Sequence, residues 1–243
     1  MPSEKSESVS FAGEVEAVSF DVLGTLLRLE DPAPRLRHEL SRLAGVDVAE
    51  DRARRAFRCE MRYYVDHHLQ GRDSGSLAEL RDACAAVVLK ELGLGVQHHS
   101  AVRRALLCSL SFTPYPDVLE ALRELRARGL RLVAVSNWDC SLQQVLERTG
   151  LLGFLDGAVS SAQVGAAKPA PQVFSCALAL VGCEPGRALH VGDSRERDVL
   201  GARTAGMRAV MLQRDAAGCD EQPRAGVKAI HTLRQLAPLT LRL

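Results

Sequence analysis

Short apolar runs that end in polar residues, separated by segments of helical pattern, constrain this chain more than any other feature. Five runs, at 15–20, 130–135, 157–160, 188–191 and 209–212, read as strands. Helical patterning fills 116–128, 141–149, 171–181 and 196–205. In 116–128, Val118, Leu119, Leu122 and Leu125 share one face at the 3.6-residue period, and Gly129 follows as a left-handed stop. Strands alternating with helices predict an α/β fold, a doubly wound Rossmann-like parallel sheet with right-handed crossovers.

One block breaks the alternation. Residues 29–111 carry helical segments near 34–44, 49–70, 76–92 and 98–110 and no strand of note. An all-helical block between the first and second core strands predicts an inserted subdomain over the C-terminal edge of the sheet. The expected organisation is a flexible tail at 1–13, an α/β core at 14–28 and 112–243, and a helical cap at 29–111. A loop is expected at 215–223, with a last strand or helix near 227–236.

Composition narrows the partners. The 243 residues carry a net charge of +1, without the basic excess that nucleic-acid or acidic-surface binding needs. The arginines are interleaved with Glu and Asp. The seven cysteines (59, 84, 108, 140, 176, 183 and 219) form no C-x-x-C pair, which argues against a zinc knuckle or a disulfide framework. The first ten residues lack the apolar stretch of a signal peptide, and no apolar run reaches membrane-spanning length. The expectation is a cytoplasmic monomer or homodimer that binds neither membrane nor nucleic acid.

The chemistry gathers at strand ends. Asp21-Val22-Leu23-Gly24-Thr25 follows the first run, and Ser136-Asn137 follows the second. Lys168-Pro169 precedes a helix, and Gly192-Asp193-Ser194 follows the fourth run with Asp198 five residues beyond Asp193. In a doubly wound sheet all four segments converge on one crevice. A carboxylate there serves no packing purpose, because Asp is rarely buried unpaired. It fits a nucleophile, a metal ligand, or both. Each motif alone has a bland reading as a turn, a cap or a loop lysine. His67-His68 and His98-His99 have no spacing that demands a metal. The stripe Phe57, Met61, Tyr64, Val65, His68 reads as a buried helix face, and Arg54, Arg58 and Arg62 read as the solvent face, from which one arginine could reach an anionic substrate.

Four motifs in this order, with an insert after the first, resemble the haloacid dehalogenase (HAD) superfamily over about residues 15–236. The resemblance implies a Mg²⁺-dependent, phosphatase-like hydrolase acting on a small anionic molecule. It implies that Asp21 is the nucleophile and forms an aspartyl intermediate, and that Lys168 neutralises charge beside it. Ser136 and the Asn137 N–H would bind phosphoryl oxygens, and Thr25 would orient Asp21. Asp21, Asp193 and the backbone carbonyl of Leu23 would hold Mg²⁺, supported by Asp198, Gly192 and Ser194.

Leu23 departs from the pattern. Phosphatases of the superfamily carry a second Asp there as general acid and base, a role worth about 10²–10⁴ in rate. A slow enzyme, or one suited to good leaving groups, is one consequence. A 2-haloacid dehalogenase is another, since halide departs without a proton; Asp193 counts against it, and Phe174 stands where those enzymes tend to have Tyr. C–P cleavage would need a cap lysine, and Lys90 is the only one in the insert. A non-catalytic Mg²⁺- and phosphate-binding protein is the remaining alternative.

Overall fold

The computed structural model describes residues 14–214 and 227–240. The segments 1–13 and 215–223, including Cys219, lie outside them. The chain enters at β1 (Ala17–Phe20), and a short β2 (Leu27–Leu29) leads into four helices: α1 (Pro32–Ala44), α2 (Glu50–His67), α3 (Ser74–Glu91) and α4 (His99–Ser109). It returns through β3 (Phe112–Pro114). Helices and strands then alternate: α5 (Val118–Ala127), β4 (Arg131–Ser136), α6 (Leu142–Arg148), β5 (Gly157–Ser160), α7 (Ser161–Val164), α8 (Pro171–Val181), β6 (Ala188–Gly192), α9 (Gly201–Thr204), β7 (Arg208–Leu212) and β8 (Ala229–Ile230). A 3₁₀ segment, Leu233–Thr240, closes the described chain.

Six strands form one parallel sheet in the order β5-β4-β1-β6-β7-β8. Both faces are covered, which is why these strands read as unbroken apolar runs. Side chains alternate across the sheet. Val18, Phe20, Leu132, Leu189 and Val191 pack with α5 and α6 on one side. Ala17, Val133, Val135 and Ala188 pack with α8 on the other, around Phe174. The winding reverses at β1, with β4 on one side and β6 on the other, so the ligand crevice of such a sheet opens at its C-terminal end.

Helices α1 to α4 pack on one another around a separate apolar cluster that includes Leu36, Leu40, Phe57, Leu80, Val88 and Val102. The starts of α1 and α3 are set locally. Asp31 Oδ1 accepts from the Ala33 N–H, with Pro32 in the first turn, and Asp73 and Ser76 cap each other reciprocally.

One strand pair was missed, and one expectation needs correction. Sequence reading did not pick out β2 and β3, which flank the helical block and pair antiparallel at its base, Leu27 opposite Pro114 and Leu29 opposite Phe112. Strands of three residues are too short to show a period. The expected helix at 196–205 is a wide π-helical turn, Arg195–Leu200, running into α9.

Candidate active site

Asp21 follows β1 at the centre of the sheet and is buried. The chain then turns sharply, and the Val22 carbonyl accepts from the N–H groups of Leu26 (2.9 Å) and Leu27 (2.8 Å). Gly24 takes φ +88°, and a Cβ there would collide with the Asp193 carboxylate. Glycine is therefore what lets this turn lie against the end of β6.

Lys168 reaches in from the loop before α8, where its bond to Pro169 is cis. Its Nζ donates to Asp21 Oδ1 (2.5 Å) and Asp198 Oδ1 (2.6 Å), all three side chains being buried. Ser136, at the end of β4, donates from Oγ to Asp21 Oδ1 at 3.4 Å. The Asn137 side chain holds the lysine loop instead: Lys168 N donates to Asn137 Oδ1 (2.7 Å) and Asn137 Nδ2 to the Lys168 carbonyl (3.1 Å).

Asp198 sits in the π-helical turn and points back under β6. Its Oδ2 accepts from the Ser194 N–H at 2.9 Å, and its Oδ1 meets His190 Nε2 at 3.2 Å. A Cβ on Gly192 would strike this carboxylate. His190 Nδ1 lies 3.0 Å from Ser19 Oγ, its partner in register across β1 and β6. A buried polar chain thus runs from Ser19 through His190, Asp198 and Lys168 to Asp21. Sequence reasoning missed Ser19 and His190. The available signal was two polar residues inside runs that are otherwise apolar on both faces.

Thr25 departs from expectation. Its Oγ1 is buried without a hydrogen-bond partner and does not tether Asp21. Its carbonyl accepts from Arg214, whose guanidinium also stacks on Tyr115 at 3.9 Å and meets Asp117 Oδ1 at 2.8 Å. Thr25 braces the turn through its backbone.

The charges do not balance. Burial pushes the Asp21 carboxyl up, with Asp198 adding to the rise and Lys168 opposing it. Burial, Asp21 and Asp198 push Asp193 up to about 7. Asp198 goes the other way, because Lys168 and His190 outweigh the burial that would raise it. Burial keeps His190 below its ordinary value and neutral at pH 7, and the two aspartates hold Lys168 charged against the opposing effect of burial.

Oxygens of Asp21, Asp193 and Asp198 lie within 4.8 Å of one another. Both Asp198 oxygens are engaged in the protein, whereas Asp193 has no hydrogen-bond partner among the described residues. Hard carboxylate oxygens with unrelieved negative charge suit a divalent cation such as Mg²⁺. The paired histidines form no such cluster among the described residues: His67 and His68 turn their Nδ1 atoms to the carbonyls of Tyr63 and Val65.

These groups open into a cavity of about 790 Å³ roofed by α2, α3 and α4. Leu23 is exposed at its edge. Phe57 of the expected stripe packs among the four helices, but Met61, Tyr64, Val65 and His68 line the cavity, and Val65 is 50% exposed. The expected uniformly buried face therefore divides between core and cavity wall. Arg54 is bound to Asp31 and Glu50, and Arg58, Arg62 and Lys90 are exposed away from the cavity. The α3 residue Arg81 is the cap cation at the wall.

A parallel sheet bearing an acidic strand-end site, with a helical insert after its first strand, defines a haloacid dehalogenase-like hydrolase. The sequence profile of that family matches residues 15–206, and the chain belongs to it. It is 33% identical over 238 residues to the human haloacid dehalogenase-like hydrolase domain-containing protein 3, covering 93% of this chain and 92% of that one. It is 31% identical over 211 residues to the glyceraldehyde 3-phosphate phosphatase of Methanopyrus kandleri, covering 82% and 84%. The crystal structure of a HAD phosphatase from Thermococcus onnurineus superposes with a TM-score of 0.60 at 30% identity, over 93% of this chain and 97% of that one. The chain is a hydrolase, with phosphatase chemistry favoured. Among the described residues no helix is long and apolar enough to cross a membrane.

Proposed function

We propose that this protein hydrolyses a small phosphate ester or acyl phosphate through an aspartyl-phosphate formed on Asp21. The observation that carries the reading is a buried Asp21 paired to Lys168 at 2.5 Å, beside an Asp193 that has no hydrogen-bond partner among the described residues, at the floor of the cavity. Asp21 attacks phosphorus, the bond to the leaving oxygen breaks, and the acyl phosphate is then hydrolysed by water. Lys168 offsets the repulsion between the carboxylate and the anionic substrate, and Asp198 and Asn137 hold Lys168 in place. Ser136 lies at hydrogen-bonding reach of the same oxygen and offers a donor to the phosphoryl group. Asp21, Asp193 and the Leu23 carbonyl are the groups that would hold Mg²⁺, which supplies charge screening when bound.

Leu23 offers no proton to the leaving group, so leaving groups that depart as stable anions are favoured. The same residue favours a second reading, halide release from a 2-haloacid, in which no proton is needed. The uncompensated charge at Asp193 counts against it. A panel of p-nitrophenyl phosphate, acetyl phosphate, glyceraldehyde 3-phosphate and 2-haloacids separates the two. Phosphate release supports the phosphatase reading; metal-independent halide release alone replaces it.

A further inference from the structure

The cap wall of the cavity carries a carboxyl group that the proposed chemistry does not use. Glu60 of α2 is 6% exposed, lines the cavity, and has no cation paired with it among the described residues. Its hydrogen-bonding neighbour is the Cys84 thiol, a weak donor. Burial pushes its carboxyl up to about 7. His68, in the short 3₁₀ segment that follows α2, also lines the cavity. His68 Nδ1 lies 2.8 Å from the Val65 carbonyl, so in the neutral ring this nitrogen carries the hydrogen. Its Nε2 is then an acceptor, and it is buried without a partner. Tyr64 lies between them but is committed to the core, its hydroxyl donating to Asp139 Oδ2 at 3.0 Å.

A carboxyl whose hydrogen-bonding neighbour is a weak thiol donor, and a ring nitrogen with no partner, both at the cap wall of the cavity, call for donors from whatever fills it. We infer that Glu60 and His68 form a subsite for the leaving group of the substrate, and that this group carries a hydrogen-bond donor, hydroxyl or ammonium, at the end remote from the phosphate. The inference rests on the phosphoryl end binding at Asp21 and Lys168. A buried acceptor left unpaired by an apolar ligand costs about 1–3 kcal/mol, which is why such a site discriminates strongly. Arg81, also at the cavity wall, makes no ion pair among the described residues and does not act on Glu60. It is the competing determinant, since it would select a second anionic group.

The test uses non-hydrolysable alkyl phosphonates of two to six carbons ending in methyl, hydroxyl, ammonium or carboxylate. Binding is read by calorimetry with Mg²⁺ present. At the best chain length the hydroxyl or ammonium compound binds about tenfold or more tightly than the methyl compound, and Glu60→Leu reduces the ratio to about one. Glu60→Gln, which keeps the shape and retains a carbonyl acceptor, loses the ammonium preference but keeps part of the hydroxyl preference. Equal binding of methyl and donor-ended compounds, a ratio unmoved in Glu60→Leu, or tightest binding of the carboxylate overturns the subsite. The readout does not need turnover: a donor preference in a protein that releases no phosphate keeps the subsite and removes the phosphatase reading, and the converse result does the opposite.

Discussion

Asp198 holds Oδ1 2.6 Å from Lys168 Nζ, with both side chains almost fully withdrawn from water. The pair sits one step behind Asp21 and sets where the lysine can go. Asp198 is in turn fixed by the Ser194 N–H and by His190, so its orientation is determined before any substrate arrives. Lys168 is thus shared between a carboxylate whose oxygens are all engaged and one that faces the cavity.

Lys168→Met breaks this arrangement and leaves buried carboxylates without a counter-charge. Removing one partner of a buried pair costs about 3–5 kcal/mol. Urea unfolding at pH 7.5 should show a lower midpoint with an unchanged slope. Phosphatase activity should be lost in the same variant. An unchanged midpoint would mean that Asp21 and Asp198 are not held as a charged cluster.

The parts of this architecture that follow a period were legible in the sequence. The apolar runs ending at Asp21, Ser136 and Gly192 became β1, β4 and β6, and α8 lies where 171–181 placed it. Features resting on non-local contacts were not. The β2–β3 pair spans more than eighty residues and each strand has three. Asn137 bracing Lys168, and Ser19 meeting His190 across the sheet, depend on strand order, which no local pattern encodes. His68 read as part of a buried helix face and Glu60 was not singled out, because spacing tells which residues share a face and not whether that face meets protein or a cavity.

Asp193 gives a pH signature. A carboxyl whose folded pKa is raised to about 7 from 3.8 binds more protons in the native state than in the unfolded state between those values. Its contribution to stability therefore falls as pH rises through that window. Asp193→Asn should stabilise the metal-free protein at pH 8, with the gain shrinking toward pH 5. It should also abolish any rise in melting temperature on adding Mg²⁺, which in the parent protein is larger at pH 8 than at pH 5. Melting curves in EDTA and in Mg²⁺ at the two pH values decide it; equal gains at both would remove Asp193 as the source.

Glu60 obeys the same sign. Its carboxyl, raised from 4.5 to about 7 by burial, opposes folding increasingly as pH rises between those values. Replacing it with Leu should stabilise the ligand-free protein at pH 8 by an amount on the order of 3 kcal/mol at most, and by less at pH 5. A loss of stability that is the same at both pH values would show that the carboxyl is paired in solution.

Leu23 stands at the cavity edge, 37% exposed, where an aspartate meets no packing penalty. Leu23→Asp should raise turnover of alkyl phosphates by up to about 10²–10⁴ and change p-nitrophenyl phosphate much less, because nitrophenolate needs little protonation. Comparing kcat on the two ester types reads this directly. An equal effect on both would show that proton donation is not what the parent protein lacks.

Phosphate release from p-nitrophenyl phosphate, measured in Mg²⁺, in EDTA and with Asp21→Asn, bears most directly on the whole account. Activity present in Mg²⁺, lost in EDTA and absent from the folded Asp21→Asn variant is the predicted result. Turnover that persists in EDTA, or that survives the loss of the Asp21 carboxylate, would contradict it.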